Sequence, residues 1–452
     1  MVDTLAAFCA DAGGPPAEAV DHLERHLLDW IGLVVGGRTV ATSSGSVLEA
    51  VEGLAGRRAP RVPTGERLAA DRAALLAGTF AHSLDFDDTH RESSLHPGAP
   101  TIAAALPVAR ETDATGEELL TAISLGYDVT CALGRAVNPD AHYARGFHLT
   151  ATCGTFGATA AAGFLRGFDE ATFEAAFGVN GSQAAGSLQF LENGAWNKRL
   201  HPGLCAHRAV LATELADAGF RGSAAPIEGT FGFLHGYTDG PNPGELRGIE
   251  PGAAGLETAL KPYPCCRYMH PAIDALLEIG TEVERETIES VRIDLPGPGV
   301  RLTGEPIDAK RGPENFVDCQ FSMPFAGALA LWAGEAGLRA FLDAQERLDD
   351  PALRRLMDRV EVVSTDRTND PFPAQWTAGV TVEADGTHER FVEYALGEPE
   401  KPMDWAAVEG KFHELTRAGG LERDISESIV ETVGGLRDGH SDELFATLGA
   451  PE

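Results

Sequence analysis

At 452 residues and 43% hydrophobic content, the chain has material for a large core and for more than one domain. Its formal net charge is −32, from 68 acidic and 36 basic residues, and only five of the basic residues are Lys. The acidic residues run through the whole length and apolar periodicity persists among them, which excludes a disordered acidic chain and makes nucleic acid and anionic membrane poor partners.

Such a surface fits concentrated salt, where the Debye length shortens to roughly 3 Å at 1 M and self-repulsion is tolerable. The N-terminal stretch MVDTLAAFCADAGG has no basic n-region, so no signal peptide is expected. No stretch reaches the ~18 apolar residues of a membrane span. The seven Cys show no C-x-x-C spacing, which argues against a disulfide framework and against zinc or iron–sulfur binding. A reduced, cytoplasmic protein is the expectation.

The first helix is predicted over 15–37, where Val20, Leu23, Leu27, Ile31 and Val34 keep helical spacing between an opening Pro pair and a closing Gly pair. Further helical patterns cover about 43–54, 68–82, 100–111, 116–136, 152–165, 169–178 and 204–218. Strand signal is scarce before 260. From Lys261 the texture changes: β-branched alternation marks 289–296, 359–365 and 379–396, the last with Ala-Asp-Gly as a hairpin turn. Helical patterns over 270–282, 322–344 and 351–357 lie among these strands. From Met403 the helical pattern returns. The expected architecture is mostly α: a large all-helical domain formed by both chain ends (1–260 and 399–452) with a smaller α+β lid domain (261–398) inserted.

Three stretches carry chemistry. AHSLDFDDTHRESSLHPGAP (81–100) packs His82, Asp85, Asp87, Asp88, Thr89, His90 and His96 together. Carboxylates and imidazoles at this density are costly to bury unless partnered, so the stretch is either a solvated loop or a site. His and carboxylate suit zinc, manganese or iron, but the spacing matches no metal motif; the alternative is acid–base work, one His carrying a proton and a carboxylate fixing its tautomer. His148 stands before a Thr- and Gly-rich helix whose N–H groups can hold an anion, and the G-x-x-G there lacks the strand that a dinucleotide fingerprint needs. WNKRLHPG (196–203) repeats His-Pro-Gly and carries Lys198 in what reads as a loop. A salt-adapted surface disfavours Lys, so Lys198, and Lys261 at the opening of KPYPCCRYMH, call for a reason such as holding a substrate carboxylate. Cys265 and Cys266 are adjacent and read as packing residues, with an acid–base thiolate at Cys266 beside Arg267 as the functional alternative. The first three stretches are expected to converge on one pocket.

HSLDFDDTH…HPGAP, ARGFH, GSQAAG, KRLHPG, EGTFGF and KPYPCCRYMH together resemble the MmgE/PrpD family, in order from about 80 to 275, with a looser likeness at FSMPFAGALAL. That family includes 2-methylcitrate dehydratase, cis-aconitate decarboxylase and iminodisuccinate epimerase. The resemblance implies a homodimer, with no metal or other cofactor, whose active site lies between a helical domain and a lid. It carries functional roles to Asp85, Thr89, His96, His148, Lys198 and Lys261. The decarboxylase branch would place a His near Cys266 and a Tyr near Phe325; neither is present, which leaves dehydratase and epimerase open. The shared chemistry is removal of a proton α to a carboxylate of a small di- or tricarboxylate. In that scheme His148 and His96 share the base and acid roles, Asp85 orients an imidazole, and Lys198, Lys261 and Arg267 hold carboxylates. A 2-methylcitrate dehydratase-like hydro-lyase leads. A dicarboxylate epimerase using Cys266 is second, and a non-catalytic binding protein is third.

Overall fold

The computed structural model describes residues 1–55, 68–192, 195–439 and 441–448, and the side chains of 54 and 55 lie outside that description. The chain separates into two compact units, Met1–Thr258 with Trp405–Glu452, and Ala259–Asp404. The protein is mostly α-helical, with strand confined to small sheets.

The first unit is built from helices that small residues allow to approach closely. Leu149–Leu165 is buried on nearly every side and packs between Gly116–Ala136, Gly98–Glu111 and Asn197–Asp217. Its sequence, LTATCGTFGATAAAGFL, has no charge and few large side chains. A Cβ on Gly157 would run into the Thr130 hydroxyl and the Gly126 carbonyl, so the crossing with Gly116–Ala136 requires glycine. Gly116–Ala136 opens on a capping box, the Thr115 hydroxyl accepting from the Glu118 N–H while the Glu118 carboxylate accepts from Thr115.

Helix Ala70–His82 packs along Asn197–Asp217 and ends where the polar stretch begins. The long helix Ala17–Val40 packs against Ala70–His82 and against Trp405–Ala418, which places the C-terminal part of the chain in this unit. Two predictions differ from what is observed. A short helix, Val2–Ala10, precedes the first predicted one. The stretch 196–203 is not a loop: helix Asn197–Asp217 runs through Pro202, so Lys198, His201 and the second His-Pro-Gly occupy its first turns. Pro202 is the sixth residue of that helix, so the ladder there lacks the N–H that would bond the Lys198 carbonyl.

The second unit holds a four-stranded sheet in the order Val360–Val363, Ser290–Asp294, Ala378–Glu383, Thr387–Val392. Its first pair is parallel and the other two are antiparallel. The parallel pair needs a long crossover, and helices Met323–Ala333, Leu338–Gln345 and Pro351–Arg359 supply it. Val291 faces Val382 and Ile293 faces Val380 across the central antiparallel pair, and all four are buried with Ile273, Leu276, Met323 and Phe325. Arg292, between them in sequence, is exposed and pairs with Glu361 at 2.9 Å. The helix predicted over 322–344 is two helices, parted at Gly334, whose φ of +71° only glycine adopts readily.

Candidate active site

Within the first unit, the stretches 81–100, 143–155 and 196–203 meet. Lys198, on the first turn of its helix, places Nζ 2.7 Å from Oδ1 of Asp85. The His96 N–H donates to the Thr150 hydroxyl at 3.1 Å, tying the first stretch to the start of helix Leu149–Leu165. His148 caps that helix, its N–H donating to the Gly186 carbonyl at 2.9 Å, and its Nδ1 lies 3.0 Å from Nδ1 of His201.

The loop after helix Ala70–His82 is clamped residue by residue. Asp85 has φ +50°, a left-handed conformation that costs most side chains roughly 1–2 kcal/mol and that Asp tolerates better than most. The Phe86 carbonyl accepts from Lys411 Nζ at 2.8 Å. Oδ2 of Asp87 lies 2.7 Å from His82 Nδ1 and 3.2 Å from His96 Nδ1. Asp88 accepts from the Tyr127 hydroxyl, from the Gly98 N–H at 3.1 Å, and pairs with His26 at 3.2 Å. Strain at a residue held by neighbours on both sides is what a preorganised site requires.

The sequence reading gave the imidazole-orienting role to Asp85. The geometry assigns Asp85 to Lys198 and places Asp87, two residues on, between His82 and His96. Burial pushes the Asp87 carboxyl up, but the facing charges and hydrogen bonds of His82 and His96 outweigh it and hold the carboxyl well below its ordinary range. Burial pulls the His82 imidazole down, against the pull of Asp87. His148 is depressed well below an ordinary histidine, first by burial and then by His201, His82, Lys198 and His96. His201 falls to about 4, by burial first and then by His82, Arg208 and Lys198. Burial thus favours the neutral form of His148 and His201.

The sequence reading weighed Asp87 only as a metal ligand of the cluster and gave His82 and His201 no role. His82 and Asp87 sit five residues apart across a helix end, and only the turn between them shows that they pair. For His201 a signal existed: it heads the second His-Pro-Gly as His96 heads the first. His82, Asp87 and His96 are also the one group of metal-ligating side chains among the described residues compact enough for an ion, with donor atoms within 4.8 Å of one another. The 2.7 Å separation of His82 and Asp87 is equally that of a charge-assisted hydrogen bond.

Thr89 is half-buried in the same loop. The remaining sequence candidates belong to the second unit. Lys261 is buried there. The Cys266 N–H donates to the Gln320 carbonyl at 2.9 Å, and its thiol offsets part of the burial that lowers the pKa of Lys310. Arg267 is buried in an ion pair with Glu398, so its charge is already matched within the unit.

The site thus gathers buried imidazoles, a fixed carboxylate and a partly buried lysine, groups that can hold and move protons. The chain belongs to the MmgE/PrpD family: residues 3–246 match its N-terminal domain and residues 263–433 its C-terminal domain. It is similar to human cis-aconitate decarboxylase, 25% identical over 396 residues, which is 84% of this chain and 80% of that protein. The mouse cis-aconitate decarboxylase is 25% identical over 389 residues, 82% of this chain and 77% of that protein. A cis-aconitate decarboxylase of Aspergillus terreus is 28% identical over 225 residues, 47% of this chain; there the match spans about half of the relative, 46% of its length. Among the described residues no helix is long and apolar enough to cross a membrane.

Proposed function

We propose that this protein is a lyase that removes a proton α to a carboxylate of a small di- or tricarboxylic acid, acting as a hydro-lyase on a 2-methylcitrate-like substrate. The observation that carries the reading is the convergence of neutral His148 with the Lys198–Asp85 pair. Proton removal leaves an enediolate with added negative charge, and a fixed cation stabilises that charge as it forms. In this reading Nε2 of His148 takes the proton and Lys198 holds the carboxylate beside it. His96, oriented by Asp87, protonates the departing β-hydroxyl, so that water leaves and the C–H electron pair becomes the new C=C bond.

The activity of the relatives favours a second reading, decarboxylation of cis-aconitate. The absence of a His at Cys266 and of a Tyr at Phe325 weighs against it. Proton NMR in D2O, in molar KCl with EDTA, on 2-methylcitrate, citrate, cis-aconitate and iminodisuccinate tests all of these. Vinylic signals growing from a hydroxy acid support the hydro-lyase. Loss of CO2 from cis-aconitate would replace it with the decarboxylase. Deuterium wash-in without elimination would replace it with an epimerase, and in that case Cys266→Ser should abolish wash-in. With the hydro-lyase, His148→Ala should cost about 10²–10⁴-fold in kcat, the usual worth of a general base.

A further inference from the structure

The two His-Pro-Gly segments bring an imidazole each to the same place, and the second of these has no role so far. His201 and His148 face one another through like atoms, Nδ1 to Nδ1, at 3.0 Å, and both rings are buried. Two bare lone pairs at that distance repel and two N–H groups collide, so a single proton lies between them. In the neutral pair, the ring that keeps its proton on Nδ1 has a bare Nε2, and the other presents a bare Nδ1 to it. Phe190 sits edge-on to both rings, 6.0 and 5.8 Å between centroids. Gly186, whose carbonyl accepts from the His148 N–H, lies beside the His201 ring, and a Cβ there would strike Ala151.

We propose that His201 is the positioning residue of His148: it accepts a hydrogen bond from Nδ1–H of His148 and so keeps Nε2 of His148 bare as the proton acceptor. The inference rests on the acid–base reading above and adds its tautomer control. When Nε2 takes the substrate proton, the C–H electron pair stays on the substrate, and the positive charge on His148 is shared with His201 across the Nδ1–Nδ1 hydrogen bond. The groups facing the pair are His82, His96 and Lys198 on the side of His148, and His82, Lys198 and Arg208 on the side of His201. None of these is a carboxylate, though Asp87 pairs with His82 and His96 and Asp85 pairs with Lys198. A neutral imidazole thus does here what Asp87 does for His82 and His96, without adding a negative charge that would repel an anionic substrate.

The test uses the full-length chain with 13Cε1-labelled histidine, titrated by NMR in molar KCl, beside pH profiles of kcat/KM. The Oδ1 of Asn or Asp falls where Nδ1 of His201 lies, whereas Leu of similar size accepts nothing. His201→Asp should raise the His148 pKa and move the acid limb of the profile upward by at least about 1 pH unit, since a facing carboxylate favours imidazolium. His201→Leu should lower kcat by about 10²-fold or more with KM little changed, through loss of the correct tautomer. His201→Asn should recover most of that loss. The inference is overturned if His148 titrates identically in the wild type and in a folded His201→Asp protein, or if Leu and Asn perform alike. A wild type inert toward all four acids would instead remove the proposed function, and the NMR titration would still decide whether the two imidazoles are coupled.

Discussion

Nζ of Lys411 lies 2.6 Å from Oδ1 of Asp29 and donates to the carbonyl of Phe86, so one buried ammonium joins helix Trp405–Ala418, helix Ala17–Val40 and the loop that carries Asp85. The same ammonium stands 3.9 Å from the centroid of the Phe86 ring. One turn before Asp29, His26 pairs with Asp88, so helix Ala17–Val40 grips the loop on both sides of Asp87.

Removing the lysine leaves a buried carboxylate without its cation, and truncating one partner of a buried pair costs about 3–5 kcal/mol. Lys411→Met should therefore lower thermal stability steeply at pH 7.5, and Asp29→Asn added to it should recover a large part. Because the Phe86 carbonyl also loses its donor, activity of the folded fraction should fall too. A Lys411→Met protein as stable as the wild type would show that the pair does not hold the loop.

Both His-Pro-Gly glycines are required by close approach rather than by backbone angle. A Cβ on Gly98 would strike the Tyr127 hydroxyl and the Asp88 carboxylate, and one on Gly203 would strike the Leu75 carbonyl and the Thr79 hydroxyl. Gly98→Ala and Gly203→Ala should each cost about 1–3 kcal/mol or more through overpacking, with activity lost beyond that because His96, Lys198 and His201 shift. Gly53→Ala, on helix Ser44–Ala55 with no atom of the described residues within 4 Å of its Cβ, should be neutral or stabilising by up to about 1 kcal/mol. Differential scanning of the three variants checks this, and equal effects at Gly53 and Gly98 would contradict it.

The helices were legible because apolar residues such as Val20, Leu23, Leu27 and Ile31 recur with the helical period, and the sheet because Val291 and Ile293 alternate with polar neighbours. Pro202, the sixth residue of its helix, hid the start: the helical pattern was read only from 204, after His-Pro-Gly. The scarcity of Lys was informative, but about partners in general. Lys198 pairs with Asp85, Lys401 with Asp274 and Lys411 with Asp29, and of these only Lys198 adjoins the imidazoles. Asp85, His96, His148 and Lys198 stood out by chemical type, and their roles came from the resemblance to the family. Which carboxylate serves which base was not legible, because residues 85, 87 and 88 are near neighbours in sequence and a single left-handed turn sends them to different partners.

Stability should fall on mild acidification. His22, His142 and His201 are depressed to about 4, mainly by burial, and His82 and His148 are also depressed. Unfolded histidine titrates near 6.5, so between pH 6.5 and 4 the unfolded chain binds protons that the fold refuses. The stability these groups contribute is complete above 6.5 and is lost as pH falls toward 4. Asp29 and Asp128 act in the opposite sense, raised by burial to about 6 and about 7, so their contribution is complete near 3.8 and is lost as pH rises through those values. Glu24 and Glu111 are raised in the same sense, while Asp87, held low, acts with the histidines; five imidazoles and Asp87 against four carboxylates give a net loss on acidification. Thermal midpoints in 2 M KCl should drop from pH 7 to pH 4.5; a rise would mean the carboxylates dominate.

The final prediction concerns salt. A net charge of −32 on a chain with 68 acidic residues makes the compact state repel itself, and the Debye length of about 10 Å at 0.1 M leaves much of that repulsion in place. Several surface ion pairs, such as Arg390 with Glu278 at 2.9 Å, offset single charges, and each exposed pair is worth at most about 1 kcal/mol. They cannot cancel an excess of this size. The protein should unfold at a lower temperature in 0.1 M than in 2 M KCl, and choline chloride should restore stability as KCl does if screening alone is responsible. Equal midpoints at both concentrations would refute salt adaptation, while recovery by KCl but not by choline would point to specific cation binding at the carboxylates.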